Sequence, residues 1–517
     1  MYRRNESRQL EFVDFYLPFS GELHPENRWV KLAQLVPWEL AEQIYAETFC
    51  DDFGAPGFSA RMALGALLIK EREGLTDRGT VAAIQENPYM QFFVGLQEFT
   101  DEPAFDASLM VDFRKRFGEA GLSRISEAIA LTQMTATPDR QANRPSDEDT
   151  SRDDTSGSNS STGNASTPDS NVDPVEEKAT GTNSDNTNHG KLILDATCAP
   201  ADIRYPTDVS LLNESREKTE EIIDVLHYPL VGKTRRPRTY RQTAGRAFNA
   251  FIRKKKPGRR AIRKAVRKQL GYLRRNLTYI KQLLQNPAAG SLSGLSRRLY
   301  KLLLVCQEVY RQQEQMYDAK TNRVDDRIVN LSQPHVRPIK RGKAGRDTEF
   351  GAKLSVSVVD GFSFLDHLRW DSFNESCDFV EQVETYRKRL GCYPESVHVD
   401  QIYRTRANRA FCKEKGIRIS GPPLGRPPKE VSSATKKKAR ADEVVRNRVE
   451  GKFGQAKRRF GLGRIMAKLP TTSAAQISLT FLVMNLEAAL VRLFLAFILL
   501  LTRHQQPSRR RNPQFQN

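Results

Sequence analysis

"KLILDATCAP", residues 191–200, decides how this chain is read. Leu192, Ile193 and Leu194 form an unbroken apolar run ending in Asp195, the pattern of a strand buried on both faces with a carboxylate at its exit. Residues 137–190, just before it, contain 11 acids, four bases and no aromatic residue. Such a segment has nothing to bury and reads as a disordered acidic linker. The strand therefore opens a new folded unit.

Long basic helical stretches follow to about residue 320, and strand patterns resume at "DRIVNLS" (326–332), "AKLSVSVVDG" (352–361) and "FSFLDHLRW" (362–370). Next come a helix near 376–390 and the strand "ESVHVD" (395–400), in which Val397 and Val399 face one way and His398 and Asp400 the other. A helix near 404–415, the short strand "IRIS" (417–420), a Pro-rich turn (421–429), a polybasic loop "ATKKKARA" (434–441) and a helix bearing Glu450 complete the series. This order of elements indicates an α/β core, 191–470, with a large basic helical insertion at about 212–325 after its first strand. Upstream, residues 1–136 carry apolar residues at helical spacing in "SARMALGALLIKEREGL", "TVAAIQENPYMQFFVGL" and "SLMVDFRKRFGEAGLSRISEAIALTQ", broken at Asn87-Pro88 and Glu102-Pro103. The chain is thus multi-domain, and its helical N-terminal unit suits dimerisation or DNA binding equally. Residues 471–517 hold an apolar helix and a basic tail. "LFLAFILLL" alone is too short to span a bilayer, so 477–503 reads as a helix buried against the body or in a dimer interface, without a membrane role.

The formal charge is +20, which calls for a polyanionic partner. Residues 232–320 hold 24 Lys or Arg against three acids, a net of +21 that accounts for the whole excess. Its densest part, "RKKKPGRRAIRK" (253–264), contains Arg253, Lys254, Lys255, Lys256, Arg259 and Arg260, candidate DNA contacts whose bland alternative is a solvated face. Six cysteines lack C-x-x-C spacing, and the N-terminus lacks the apolar core of a signal peptide. A reducing cytosol, in association with the nucleoid, fits both.

"RNRVEGKFGQAKRRFGLGRI", residues 446–465, holds seven basic residues and one acid, Glu450. The bland reading pairs Glu450 with Arg446 or Lys457 on a helix surface, at roughly 0.2–0.5 kcal/mol each. The sharper one joins it to Asp195 and Asp400. Two strand-end aspartates and a helical glutamate are the hard oxygen ligands that a pair of Mg²⁺ ions needs for in-line phosphoryl transfer. At 100° per residue Arg446, Glu450, Phe453 and Lys457 share an arc of roughly 60°, so the ligand is flanked by cations for phosphates. Gly451 and Gly454 cost such a helix roughly 1 kcal/mol each, which predicts a close approach to its backbone.

These residues resemble the bacterial insertion-sequence transposases of the DDE superfamily, in the branch whose helical N-terminal domain precedes a ribonuclease H-like catalytic core. The likeness runs through "ENPYMQFFVGL", "FDASLMVDFRKRFG", "LILDATCAPADIRYPTDVSLLNESREKTEEIID", "RPIKRGKAGRDTEFGAKL", "VHVDQIYRTRANRAFCKEKGIRISGPPLGRP" and "RNRVEGKFGQAKRRFGLGRIMAKL". It implies that Asp195, Asp400 and Glu450 are the catalytic metal ligands, with two Mg²⁺ ions that Mn²⁺ can replace. It implies cleavage at the element's ends by activated water, then attack of the freed 3′-hydroxyl on target DNA. The partners it implies are double-stranded DNA, both terminal inverted repeats and target, and a second copy of the chain on that DNA. The family's tyrosine, arginine, glutamate and lysine signature is met by Arg446, Glu450 and Lys457, while Glu443 stands in the tyrosine slot. A nuclease that does not join ends, and a non-catalytic DNA-binding product of a decayed element, are the alternatives.

Other acids are weighed against these. Asp202 and Asp208 lie past Pro200 in a departing loop, and Asp360 and Asp366 fit a hairpin at Gly361 better than a metal site. His398 reads as a supporting residue. Tyr403, Arg404 and Asn408 after the second aspartate are candidate contacts to the scissile end, with helix capping as the alternative for them. His335, Arg337, Arg341 and Lys343 form a candidate phosphate-contacting loop.

Overall fold

The computed structural model describes residues 15–18, 21–50, 56–135, 188–340, 348–422 and 432–504. Six helices come first: α1 (Arg28–Leu35), α2 (Trp38–Ala46), α3 (Ala60–Glu73), α4 (Asp77–Glu86), α5 (Pro88–Phe93) and α6 (Leu109–Thr135). Their starts are written locally, since the side chains of Asn27, Ser59, Thr76 and Asn87 each accept a backbone N–H from the first turn of α1, α3, α4 and α5. The Asn87-Pro88 break ends α4 and begins α5. Gly118, at φ 58°, kinks α6 in a conformation that a side chain would oppose.

The chain is docked again from Asn188, whose amide donates to Lys415 O at 2.8 Å, and His189 N–H donates to Tyr393 O at 2.9 Å. Then follow β1 (Lys191–Pro200), four helices α7 (Asp208–His227), α8 (Arg241–Ile252), α9 (Arg259–Gln285) and α10 (Arg297–Asp318), and the strands β2 (Arg337–Lys340), β3 (Thr348–Val359) and β4 (Phe362–Arg369). The rest is α11 (Phe379–Leu390), β5 (Ser396–His398), α12 (Arg406–Glu414), β6 (Arg418–Ile419), α13 (Ser433–Arg459) and α14 (Pro470–His504). One mixed sheet results. β3 lies antiparallel to β1 and carries β2 and β4 on its other edge, while β5 and then β6 extend the sheet parallel to β1 on the far side.

Three details depart from the sequence reading. β1 does not end at Asp195: β3 pairs with it as far as Pro200 opposite Gly351, so the aspartate sits in mid-strand. "DRIVNLS" forms no strand. Ile328 and Leu331 are buried among α7, α9 and α10, and the Ile328 N–H is taken by the Gln312 side chain at 2.9 Å, so the backbone needs no sheet partner. The polybasic "loop" at 434–441 is helix, because Ser432 caps α13 and the residues after Ser433 are helix-favouring Ala, Lys and Arg with one Thr.

Helices α7–α10 pack on one another around two apolar clusters of their own, centred on Leu212, Leu273 and Cys306 and on Ile222, Leu226 and Leu303. The main core instead runs from the N-terminal helices through the sheet to α14. Counted with the apolar positions that precede "LFLAFILLL", residues 470–496 are long and apolar enough to cross a membrane by length and composition. Half of that richest stretch is buried in the body, including Ile477, Leu482, Val483 and Leu486, packed on α6, α3 and β4. Beyond it Val491, Phe494, Leu495 and Ile498 are exposed.

Polar contacts fix α14 at three levels. Glu487 takes Arg72 of α3 at 2.6 Å and Arg459 of α13 at 3.3 Å. Asn485 accepts the Ser363 N–H and donates to Ser363 O, both at 2.8 Å, and to Ser126 Oγ at 3.0 Å. Thr480 donates to Glu71 of α3 at 2.6 Å. Burial raises the Glu71 carboxyl from 4.5 to about 7, against the Thr480 hydrogen bond and the fields of Lys70 and Arg114. The folded chain thus holds this proton more tightly than the unfolded one, so stability is lost as pH climbs from about 4.5 to 7, on the order of 3 kcal/mol in full. Glu71→Gln is expected to flatten the fall in thermal midpoint between pH 5 and pH 8; equal falls in both proteins would place the titration elsewhere.

Candidate active site

The last paired residues of the parallel β1–β5 ladder are Ile193 and His398. Two residues further on each strand stand Asp195 and Asp400, which the period of two returns to the same face of the sheet. β5 stops at His398 while β1 runs on against β3, so both aspartates sit where that ladder ends. Asp195 is half-buried and Asp400 exposed. The Asp195 carboxyl is pushed up to about 6, by burial first and by the fields of Glu375 and Asp400; the Ala196 N–H that it accepts at 2.8 Å and the field of Arg446 pull the other way.

Helix α13 brings the third carboxylate. Val449 and Ala456 are buried, and Asp442 lies on the same stripe, seven residues before Val449. Asp442 receives Arg418 of β6 in a two-pronged pair at 2.8 and 3.0 Å, and His398 Nδ1 lies 3.6 Å away. Burial lowers the His398 pKa, and its Nε2 meets Ser396 Oγ at 3.1 Å, which sets the ring between β5 and α13. With that stripe against the sheet, the neighbouring one carries Glu443, Arg446 and Glu450. Arg446 bonds Glu443 at 2.6 Å and lies 3.7 Å from Glu450, and it also feels Asp400 and Asp195. One guanidinium thus serves four carboxylates. Glu450 itself is 62% exposed, and Lys457 continues the same helical face.

Among the described residues no three His, Cys, Asp or Glu side chains stand close enough together to hold a metal ion. The donor chemistry still suits one, since every candidate is a hard carboxylate oxygen, and Asp195 is raised by burial first and by the fields of Glu375 and Asp400 after it.

Residues 397–487, which include Asp400 and Glu450, match the family described as "Transposase DDE domain", and residues 19–116 match the one described as "Transposase domain (DUF772)". Together the two matches indicate an insertion-sequence transposase of the DDE type. It is also similar to the "Uncharacterized protein ORF8 in nfe locus" of Rhizobium meliloti, with 34% identity over 120 residues, 23% of this chain. The match spans 58% of that relative's length. No solved structure matches the chain.

Several residues of this transposase are placed otherwise than their sequence positions suggest. Tyr403 is fully buried, its hydroxyl without a hydrogen-bond partner, and burial first, then Glu375, Asp195 and other acids, raises its pKa; it offers no surface to DNA. Arg404 donates to Val399 O at 2.8 Å and lies against Gly421, where an added Cβ would fall 2.1 Å from its Cζ, so it braces the end of β5. Asn408 is buried and ties Ser376 O to Tyr403 O at 3.1 and 2.9 Å; Thr405 supplies the cap. Asp202 pairs with Arg464, Asp208 with Arg327, Asp360 with Arg492 and Asp366 with Arg389, which accounts for those acids structurally. His335 packs edge-on against Trp370 at 4.3 Å, and Arg337 donates to Pro334 O at 2.5 Å. Arg341 and Lys343 lie outside the described residues. Arg253, Lys254, Lys255, Lys256, Arg259 and Arg260 are exposed where α8 passes into α9, which packs on α7, α8 and α10. A Cβ at Gly451 would meet nothing within 4 Å, so no part of the described chain makes the close approach expected there.

Two residues of the site carry no signal in the sequence. Glu375, which faces Asp195 electrostatically and pairs with Lys353 at 2.8 Å, follows β4 with no motif around it. Asp442 directly follows the supposed polybasic loop and is masked by its charge. Asp442→Asn is expected to cost about 1 kcal/mol by weakening the Arg418 clamp. Amide exchange should then quicken over 442–450, where Glu450 is carried, and stay slow over 452–459; uniform exchange along α13 would show that the clamp does not hold it.

Proposed function

We propose that this transposase cuts DNA at the ends of its element and joins the freed ends to target DNA in a metal-dependent reaction. The observation that carries the proposal is the register that sets Asp195 and Asp400 on one face of adjacent parallel strands, with Arg446, whose charge acts on both, one turn before Glu450 on α13. Asp195, Asp400 and Glu450 hold the divalent ions, Mg²⁺ with Mn²⁺ as substitute. Such ions activate water as a nucleophile and neutralise charge at the phosphate. The chain's own part is to orient the carboxylates through the β1–β5 register and the Arg418–Asp442 clamp, and to offer Arg446 and Lys457 to phosphate oxygens.

The same reading treats the sheet as a ribonuclease H-like core. It is supported by the order β4-β3-β1-β5-β6, with β3 alone antiparallel to both of its long neighbours, and by α7–α10 entering between β1 and β2 with apolar clusters of their own. Residues 1–136 then form the helical domain that recognises terminal repeats in the manner of helix-turn-helix modules, 137–190 an acidic linker, 191–470 the catalytic domain and 471–517 the C-terminal helix and tail. The exposed bases at the α8–α9 junction track duplex phosphates, and two copies act together because two ends must be joined.

Glu450→Gln is expected to abolish cleavage of labelled element ends while leaving folding and DNA binding nearly intact, since it removes a ligand and almost no volume. Glu443→Gln should keep most activity. Cleavage by the Glu450 variant at near wild-type rate removes Glu450 from the site, and cleavage without joined products in the wild type makes the protein a nuclease only.

The eight bases of 253–264 replaced by Gln should flatten the dependence of log K on log salt by several units, at about 0.9 for each phosphate no longer neutralised, for element ends and random duplex alike. Discrimination between them should survive, because bonds to phosphate position a duplex without reading its sequence. An unchanged slope would mean that this cluster touches no DNA.

A further inference from the structure

A cavity of about 950 Å³ opens where the segment leading into α7, residues 322–329 and the β2–β3 edge meet. Topology ties it to the candidate site. β1 passes Asp195, runs on to Pro200 and leads through Tyr205 into α7. Five residues of strand separate Asp195 from Pro200, roughly 16 Å at 3.3 Å per residue. This end is held closely: a Cβ on Gly351 would fall 2.1 Å from Ala199 O, so only glycine lets β3 reach β1 here.

The wall chemistry is specific. Tyr205 is 71% exposed, and its ring stands perpendicular to Phe350 with centroids 5.5 Å apart, which leaves aromatic surface facing outward. Arg323 and Lys340 line the cavity and form no ion pair among the described residues. Arg327 pairs with Asp208 at 2.6 Å, yet its Nε is buried without a hydrogen-bond partner. Arg311 is held by Glu308, and Asp325 is the other acid in the lining. A largely exposed ring beside cations that form no ion pair among the described residues suits a ligand made of flat rings and phosphates. The volume lies near the top of the range for small-ligand sites, roughly 300–1,000 Å³, which suits a short run of single strand and not a duplex.

We propose that this cavity binds a short single-stranded segment of DNA, with a base on Tyr205 and phosphates on Arg323 and Lys340, along a path that continues to Asp195. The continuation rests on the transposase reading; the binding chemistry does not. The test is fluorescence anisotropy with the full chain, using labelled oligothymidylate, a labelled blunt duplex, and thymidine monophosphate as competitor. Tyr205→Ala should weaken oligothymidylate binding about ten-fold, as loss of one stacked base does, and leave duplex binding within two-fold. Tyr205→Phe, which keeps the ring, should bind like wild type, and Arg323→Gln should lower the single-strand salt slope by about 0.7. Equal binding by Tyr205→Ala and wild type overturns the proposal. So does an equal loss in the Ala and Phe variants, which would trace the effect to the hydroxyl or the fold, and so does monophosphate competing as well as the oligonucleotide, which would make this a free-nucleotide site. Active Glu450→Gln enzyme would overturn the catalytic reading alone and leave these binding results standing.

Discussion

Three rungs of parallel pairing, Lys191 to Ile193 against Ser396 to His398, are the constraint on which the site depends. The partners lie about two hundred residues apart in sequence, so the ladder is paid for by tertiary structure on both sides. A slip of one residue would turn Asp400 to the opposite face and separate it from Asp195. Val397 and Val399, fully buried on the alternate face, oppose that slip, because a shift one way would put Asp400 into a buried place and a shift the other way would replace two valines by Ser396 and His398. The register then propagates outward: β5 fixes β6, β6 presents Arg418, and Arg418 fixes Asp442 and so the rotation of α13. Glu450 is aimed by a strand it never touches.

The second constraint is α14. It begins inside the segment that matches the transposase DDE domain and packs on α3, inside the segment that matches the other transposase domain, and on α6, which starts there and runs beyond it. Asn485 uses both ends of its amide, accepting from Ser363 and donating to Ser363 and Ser126, so a buried polar group becomes a satisfied bridge between β4 and α6. Alternative packings of these helices would leave that amide unpaired. The N-terminal helices are accordingly held in one orientation to the sheet.

How much of this was written locally varies by element. The helices of the N-terminal unit were legible from period and caps, as at Asn87-Pro88, because those signals act within one turn. Val397 and Val399 announced a strand by alternation, and Leu192 to Leu194 a doubly covered one. What failed were features decided by distant partners. "DRIVNLS" has strand composition, but Gln312 and the helical cluster claimed it. β1 outlasted Asp195 because β3 continues beside it. Tyr403 follows Asp400 by three residues and looked surface-bound, yet the turn after β5 points it inward. In the candidate site the two aspartates and Glu450 could be picked out, whereas Glu375 and Asp442 could not, since each matters only through a partner on another element.

Electrostatics join these threads. Glu443, Glu450, Asp400 and Asp195 all act on Arg446, and only Glu443 holds it at true hydrogen-bond distance. Arg404 adds a second positive charge that acts on Asp400 and Glu443, so two cations stand among four carboxylates at the end of β5 in a chain that is strongly basic as a whole. On the proposed function this divides two tasks by sign: exposed bases elsewhere would attract a polyanion, and the carboxylates small cations. Arg446 stands at the border between them. Its guanidinium satisfies either its own helix's glutamates or an incoming phosphate, and the two uses exclude each other geometrically. Glu443, which holds Arg446 at 2.6 Å, is therefore the contact that a phosphate would have to displace.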